Sequence, residues 1–327
     1  MMIWAQTLIS LSLVAALLWR VDLVEVGRAL ITAPVPLLAL AAALFFLMHV
    51  LNAVKLRVLL PEQRVGRLLA HTLVAQFYAL VLPGQLAGEA VKAYRLSRAE
   101  ATAPADAPDG GRVVSAVVFD KVTGIGGLLL VTLVGLALEM ARFGGGLLLA
   151  VLGILAGLAV AVAALAWKPT RTGLRSLLSW RAGPRRRAWL LGPLDRFLAA
   201  WQAQARQPAR AALSVMGGVA VQVAAVAGSQ ALGLAVGIDQ PFSVWSVVIG
   251  VMSVIVLLPV TVAGIGLREA SLVGLLDPVG VPHSQSLGLG LGILAFQVMV
   301  ALVGAVIDLV MPRLGGRRRM TAGDSGS

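Results

Sequence analysis

The sequence contains no cysteine, only three histidines and few charged residues. Without cysteine there are no disulfides, thiolate metal sites or cysteine nucleophiles. His49, His71 and His283 lie far apart in the sequence, so we expect neither a metal site nor another cofactor. Charged residues make up 13% of the 327 residues and hydrophobic residues 59%, whereas soluble domains carry about a quarter charged residues. This composition indicates a polytopic membrane protein.

The charge that is present is strongly basic, with 27 Lys and Arg against 15 Asp and Glu. These cations lie mainly between apolar runs, a pattern typical of cytoplasmic loops in membrane proteins. We therefore expect no nucleic-acid partner, and the clustered arginines could also hold anionic lipid headgroups.

Six apolar runs are long enough to cross a bilayer, which needs about 20 residues. They are residues 2–19, 36–60, 112–138, 145–167, 209–236 and 285–311. Two more apolar segments, 68–98 and 242–276, are each divided at a Leu-Pro dipeptide, Leu82-Pro83 and Leu258-Pro259. The first holds roughly 30 residues, too many for one crossing and too few for two, so we predict that both are re-entrant hairpins of two half-helices.

The basic clusters fall on one side of the membrane only if both hairpins are re-entrant. These clusters are residues 55–67, 92–112, 168–210 and 313–319. The fold class is therefore predicted as all-α and polytopic, with about six transmembrane helices and two hairpins in an inverted-topology repeat. We expect one integral membrane domain over 1–327, with cytoplasmic termini, a cytoplasmic basic loop 168–208 and a basic tail 312–327. Trp201 in that loop could rest at the level of the lipid headgroups.

Three pairs of oppositely charged residues fall within the apolar segments, where an unpaired charge costs at least about 2.5 kcal/mol. They are Glu89 with Lys92, Asp120 with Lys121, and Arg268 with Glu269. Any one pair is equally compatible with neutralisation that locks the helix bundle. The first and third pairs, however, follow helix breaks, where freed backbone N–H groups favour an anion such as phosphate. We therefore favour substrate contact for those two pairs and leave the role of Asp120 and Lys121 open.

Three segments resemble the signature motifs of the lysylphosphatidylglycerol synthase transmembrane family, also called flippase-like. They are "LPGQLAGEAVKAYRLSR", "SAVVFDKVTGIGGLLL" and "LPVTVAGIGLREASLVGLL", in the family's order and spacing. "NAVKLRVLL" resembles the family's cytoplasmic end of the second helix. The resemblance implies a bacterial inner-membrane protein that moves lipids with modified or charged headgroups between leaflets.

The resemblance also implies a set of site residues. They are Pro83, Gly84, Gly88, Glu89, Lys92 and Tyr94 in the first motif, Asp120 and Lys121 in the second, and Pro259, Gly264, Gly266, Arg268 and Glu269 in the third. The sequence departs from the family where Ala87-Gly88-Glu89 replaces the usual Gly-Gly-Asp, and where Lys92 and Lys121 replace arginine. A lysine retains phosphate contact but not the planar fork of arginine.

A lipid flippase is thus the first functional hypothesis, with membrane lipids as its partners. The alternatives are an intramembrane transferase acting on a lipid, and a non-transporting scaffold whose basic loop recruits a partner. Fusion members of the family carry a soluble aminoacyl-transferase domain; this sequence ends at Ser327 without one, so we expect no enzyme activity. A second copy of the chain and an enzyme of lipid biosynthesis are further candidate partners.

Overall fold

The computed structural model describes residues 32–82, 86–101, 110–167, 184–258, 261 and 264–320. The predicted span 2–19, the break residues Pro83, Gly84 and Pro259, and the end of the basic tail lie outside these residues.

The regular structure of the described residues is helical, and we number the main helices in chain order. They are α1 (Val35–Leu59), α2 (Val65–Val81), α3 (Leu86–Ala101), α4 (Gly110–Leu138), α5 (Gly145–Ala166), α6 (Pro184–Ala205), α7 (Pro208–Ala235), α8 (Phe242–Val256), α9 (Leu267–Leu276) and α10 (His283–Met320). A single turn, Met140–Phe143, precedes α5, and a 3₁₀ turn, Asp277–Val279, follows α9.

Five of the described helices are long and apolar enough to cross a membrane: α1, α4, α5, α7 and residues His283–Val310 of α10. In α5, Val151 is the one buried residue, so this helix is apolar on all sides and suited to face lipid. The helices α2 and α8 are apolar but have only 17 and 15 residues, too few to span a bilayer alone. The predicted all-α polytopic fold is confirmed.

The basic segment 168–208 contains a helix, α6. This helix packs on α4, and its Trp201 is fully buried with its ring centroid 5.1 Å from that of Phe119. Phe197 packs against the same cluster, with its ring centroid 6.0 Å from that of Trp201, and Leu198 is buried. The structure therefore places Trp201 inside the protein rather than among lipid headgroups.

The first broken segment forms a hairpin. Gly88 of α3 lies so close to α2 that an added β-carbon would overlap the Ala75 carbonyl oxygen, so α3 doubles back along α2. At the open end, Arg112 Nη2 lies 3.2 Å from Glu62 Oε2. Glu62 precedes α2 and Arg112 lies in the first turn of α4, so the chain enters and leaves this hairpin at the same end.

The second broken segment returns in the same way. Gln240, before α8, donates from Nε2 to the carbonyl oxygen of Val279, after α9, at 3.3 Å. The two hairpins open at opposite ends of α4, whose 29 residues span about 43 Å. One end carries Arg112; beyond the other, Glu139 Oε1 accepts a 2.5 Å hydrogen bond from Ser243 in the first turn of α8.

The two halves of the chain exchange equivalent contacts. The helix that follows each hairpin packs on the first helix of the other hairpin, α4 on α8 and α10 on α2. The helices that precede the hairpins, α1 and α7, pack on each other. When residue numbers are shifted by the separation between Pro83 and Pro259, α1 aligns in sequence with α7, α2 with α8, and α4 with α10. The sequence interval and the helix contacts therefore relate the same pairs of helices.

A polar contact fastens the first hairpin to α10. The Tyr78 hydroxyl of α2 donates to Asp308 Oδ2 at 2.8 Å, and Arg95 of α3 forms an ion pair with the same carboxylate. The guanidinium of Arg95 also lies 5.4 Å from the centre of the Tyr78 ring. Asp308 therefore links three helices.

Candidate functional site

A polar cavity lies where the two hairpins meet the long helices. It contains about 1110 Å³ of space, part of it open to the outside. Its charged lining residues are Lys55, Glu89, Asp120, Lys121 and Arg268, and its uncharged polar lining residues are Asn52, Gln222, Ser253 and Gln297. A smaller polar pocket of about 490 Å³, beside α2, shares Glu89, Lys121 and Gln297 with it.

The first hairpin contributes the Glu89 carboxylate, which two lysines contact. Lys92, one turn further along α3, is buried and places Nζ 2.5 Å from Glu89 Oε2. Lys121 of α4 lies at 3.9 Å from Glu89 Oε1, and its side chain is 34% exposed. Lys92 therefore neutralises Glu89 most directly, while the Lys121 ammonium remains able to contact a group in the cavity.

The sequence predicts a pair of Asp120 with Lys121. The structure instead pairs Asp120 with Lys55 of α1. Lys55 Nζ lies 3.3 Å from Asp120 Oδ1 and donates to the Asp120 backbone oxygen at 2.6 Å. Adjacent residues on a helix do not face each other, which is why Asp120 and Lys121 diverge. Lys55 is also buried and lines the cavity, unlike a cation of an exposed loop.

Two glycines make room for the Lys55 side chain between α4 and α7. A β-carbon at Gly217 would lie 2.7 Å from Lys55 Cγ, and one at Gly124 would lie 2.8 Å from Nζ. Such distances require the lysine to shift. The glycine positions therefore set the path along which Lys55 reaches Asp120.

The second hairpin contributes Arg268 at the start of α9. Gly264 and Gly266 adopt φ angles of 78° and 82°, a backbone region that other residues rarely occupy. The Gly266 N–H donates to Glu269 Oε2 at 2.7 Å, which caps the first turn of α9. Arg268 Nε lies 3.2 Å from Glu269 Oε1. Glu269 thus anchors both the helix start and the arginine.

One nitrogen of Arg268 retains unused hydrogen-bonding capacity. Its Nη1 donates to Gln297 Oε1 of α10 at 2.5 Å, whereas its buried Nη2 has no hydrogen-bond partner among the described residues. The residue is 3% exposed and lines the cavity. A buried guanidinium N–H without a partner is costly, so this geometry favours an acceptor in the cavity.

The charges of the described residues around the cavity do not cancel. The cations are Lys55, Lys92, Lys121 and Arg268, and the carboxylates are Glu89, Asp120 and Glu269. One positive charge is therefore in excess at membrane depth, where uncompensated charge is expensive. Two of the cations that line the cavity can each contact a further group. Lys121 lies on the side of the first hairpin, and Arg268 belongs to the second. A singly charged anion would balance the site.

The structure brings most of the predicted site residues together, but in different roles. Glu89, Asp120, Lys121 and Arg268 line the cavity, and Gly88 lines the adjoining pocket. Lys92 and Glu269 are buried behind this lining as charge partners, while Gly264 and Gly266 shape the turn before α9. Tyr94 is 58% exposed and does not line the cavity. Pro83, Gly84 and Pro259 lie outside the described residues.

Sequence reasoning missed Lys55 and Asn52, which lie one turn apart on α1, as cavity residues. The motif "NAVKLRVLL" contains both and was the available signal, but a lysine near a helix end is also the usual mark of a cytoplasmic loop. Gln297, which is the direct partner of Arg268, carries no local signal of that contact because the two residues lie on different helices.

The fold and the cavity define a polytopic helical membrane protein with a cationic site that residues of both hairpins and of the long helices line. The family model described as the lysylphosphatidylglycerol synthase TM region matches residues 3–304, and the chain belongs to this family. No curated protein matches the chain significantly. Family membership associates the chain with membrane lipids.

Proposed function

We propose that the chain is a lipid flippase that moves a phospholipid or a lipid-linked anionic headgroup between the leaflets of the bacterial inner membrane. The excess positive charge at the cavity, presented by Lys121 and Arg268, carries this proposal. In it, the headgroup phosphate accepts hydrogen bonds from Lys121 Nζ and Arg268 Nη2, and the lipid tails remain in the bilayer. A phosphate diester carries the single negative charge that balances the site.

The proposed mechanism uses the hairpins as re-entrant elements of an inverted-topology repeat, with both termini cytoplasmic. Two findings support it: the chain enters and leaves each hairpin at one end, and the two hairpins open at opposite ends of α4. Broken helices at equivalent positions of two halves commonly form the central site of transporters. Movement of one hairpin at a time would expose the cavity first to one leaflet and then to the other.

The charge contacts provide a route for binding and release. Lys121 holds Glu89 only at 3.9 Å, so a phosphate can replace the carboxylate as its main partner while Lys92 continues to neutralise Glu89. Release would restore the Lys121–Glu89 contact. In this proposal the lipid is moved without chemical change, and the chain is not an enzyme.

The test is lipid translocation in proteoliposomes containing headgroup-labelled phospholipids and polyprenyl-phosphate lipids. We expect translocation by the native chain and a loss of about tenfold or more in Lys121→Gln, because a charge contact to phosphate is removed. The matched control is Arg112→Gln on the same helix, since Arg112 is 43% exposed and pairs with Glu62 outside the cavity.

Each outcome of this test has a separate meaning. Unchanged translocation in Lys121→Gln would refute the assignment of the site, and equal losses in both variants would attribute the effect to a general loss of charge. A native chain that moves none of the lipids would refute the flippase proposal. A chemically altered lipid after incubation would favour the transferase alternative.

A further inference from the structure

An apolar groove lies beside the polar cavity, between α1, α2 and α10. It contains about 420 Å³ of space, part of it open to the outside. Its lining residues are Ala42, Phe45, Phe46, Leu73, Phe296, Met299, Val300 and Val303. Phe46, Met299 and Val303 are exposed, so the groove is open on the outer face of the helix bundle. In a membrane that face meets lipid.

The groove and the cavity are neighbours on two helices. On α10, Phe296 lines the groove while the next residue, Gln297, lines the cavity. On α1, Phe45 lines the groove and Met48, one turn later, lines the cavity. The ring centroids of Phe45 and Phe296 lie 5.4 Å apart, so the two groove residues that precede the cavity residues on α1 and α10 contact each other. A molecule with a polar end in the cavity therefore has an apolar surface within reach.

Five of the groove residues correspond in sequence position to residues of the cavity wall. When residue numbers are shifted by the separation between Pro83 and Pro259, these groove residues align with cavity residues in the other half of the chain. The pairs are Ala42 with Gly218, Phe45 with Val221, Phe46 with Gln222, Phe296 with Asp120, and Val300 with Gly124. In two of the five pairs a phenylalanine of the groove corresponds to a polar residue of the cavity, Phe46 to Gln222 and Phe296 to Asp120.

We propose that the groove binds one hydrocarbon chain of the lipid whose phosphate occupies the cavity. The inference rests on the proposed function and adds a second contact region to it: the polar surface recognises the headgroup, and the apolar groove holds the tail during movement. Because lipid tails are as apolar as the groove, the preference for a bound chain comes from shape and from attachment to the headgroup. The groove therefore distinguishes a lipid from its water-soluble headgroup.

The test uses the full chain in liposomes with a phosphatidylglycerol analogue that carries a photoreactive diazirine in one acyl chain. After irradiation, labelled peptides are identified by mass spectrometry. We expect labelling of the groove residues on α1 and α10, competition by unlabelled phosphatidylglycerol, and weaker labelling by an uncharged diacylglycerol probe. Lys121→Gln should also lower this labelling, because the headgroup no longer holds the chain in place.

Filling the groove provides matched variants. Ala42→Trp places a large ring in it, whereas Ala43→Trp places the same ring on the neighbouring exposed position. We expect Ala42→Trp to lower groove labelling about tenfold, the equivalent of about 1.4 kcal/mol, and Ala43→Trp to leave it unchanged. Met299→Trp and the control Leu302→Trp, both on the exposed side of α10, repeat the comparison without altering a partly buried position.

The inference would be overturned if the charged and uncharged probes label the groove equally and if each variant is labelled as strongly as its control. Ordinary surrounding lipid would then account for the labelling. Cross-links between two protein chains at the groove residues would overturn the inference in favour of a second copy as occupant. If groove labelling behaves as expected but the native chain moves no lipid, the flippase proposal fails and the chain-binding groove stands. If translocation is normal and labelling is unselective, the groove inference alone fails.

Discussion

Lys55 contacts Asp120 twice, through the carboxylate at 3.3 Å and through the backbone oxygen at 2.6 Å. The two residues belong to α1 and α4, and both are buried. The pair joins two membrane-spanning helices at the wall of the cavity and keeps the lysine ammonium away from lipid.

Removing one member of this pair should destabilise the protein strongly. Asp120→Leu leaves the Lys55 charge buried without its carboxylate, and we expect a loss of about 3–5 kcal/mol. The double variant Lys55→Met with Asp120→Leu should recover most of that loss because no charge remains. Thermal unfolding in detergent measures both effects. Equal destabilisation in the single and double variants would show that packing, not charge, sets the cost.

The crossing of α4 and α7 depends on one glycine of an adjacent pair. A β-carbon at Gly127 would overlap the backbone of Gly218, whereas one at Gly126 meets open space. Gly127→Ala should therefore lower the stability by about 1–3 kcal/mol, and Gly126→Ala should not. The unfolding midpoints of the two variants test this directly. A similar decrease in both would indicate a general cost of alanine in α4 and contradict the close crossing.

Gln297→Glu should separate anion binding from stability. The new carboxylate would lie beside Arg268 Nη1, where the amide oxygen now accepts at 2.5 Å, and would form an ion pair. We expect unchanged or higher thermal stability, but roughly 100-fold slower lipid translocation because the excess positive charge is cancelled. Retained translocation would mean that the excess charge does not bind substrate. Gln297→Leu, which removes the acceptor, should instead lower stability.

Since the chain has no cysteine, single introduced cysteines report the topology without background labelling. Arg112→Cys marks the open end of the first hairpin, and Asp277→Cys, at a 68% exposed side chain, marks the open end of the second. We expect an impermeant thiol reagent to label Arg112→Cys from the cytoplasmic side and Asp277→Cys from the other side. Labelling of both from one side would refute the inverted topology.

The membrane-spanning helices were predictable because bilayer thickness imposes a length and an apolar composition that are visible in any single segment. The predicted runs 112–138 and 145–167 correspond to α4 (Gly110–Leu138) and α5 (Gly145–Ala166). The helix breaks were also predictable, because the Leu-Pro dipeptides and following glycines are local signals. By contrast, α6 was missed because its basic composition conceals the apolar face that packs on α4.

The charge partners were only partly predictable. Glu89 and Lys92 were paired correctly, since residues three apart on a helix face each other. Asp120 was paired wrongly because its partner, Lys55, lies on another helix and reaches it through space left by Gly124 and Gly217. Arg268 illustrates both cases: its neighbour Glu269 was expected, and its contact with Gln297 of α10 was not.

Hydropathy, proline position and spacing along one helix are properties of short segments, so sequence was sufficient for the spans, the two breaks and the local pair of charges. The helix crossings, the partner of each buried ion and the adjoining polar and apolar surfaces depend on which segments meet in space. These contacts depend on close packing between helices that are distant in sequence. The absence of a β-carbon at Gly127 permits the crossing of α4 with α7, and the Asp120 carboxylate pairs with Lys55 of α1.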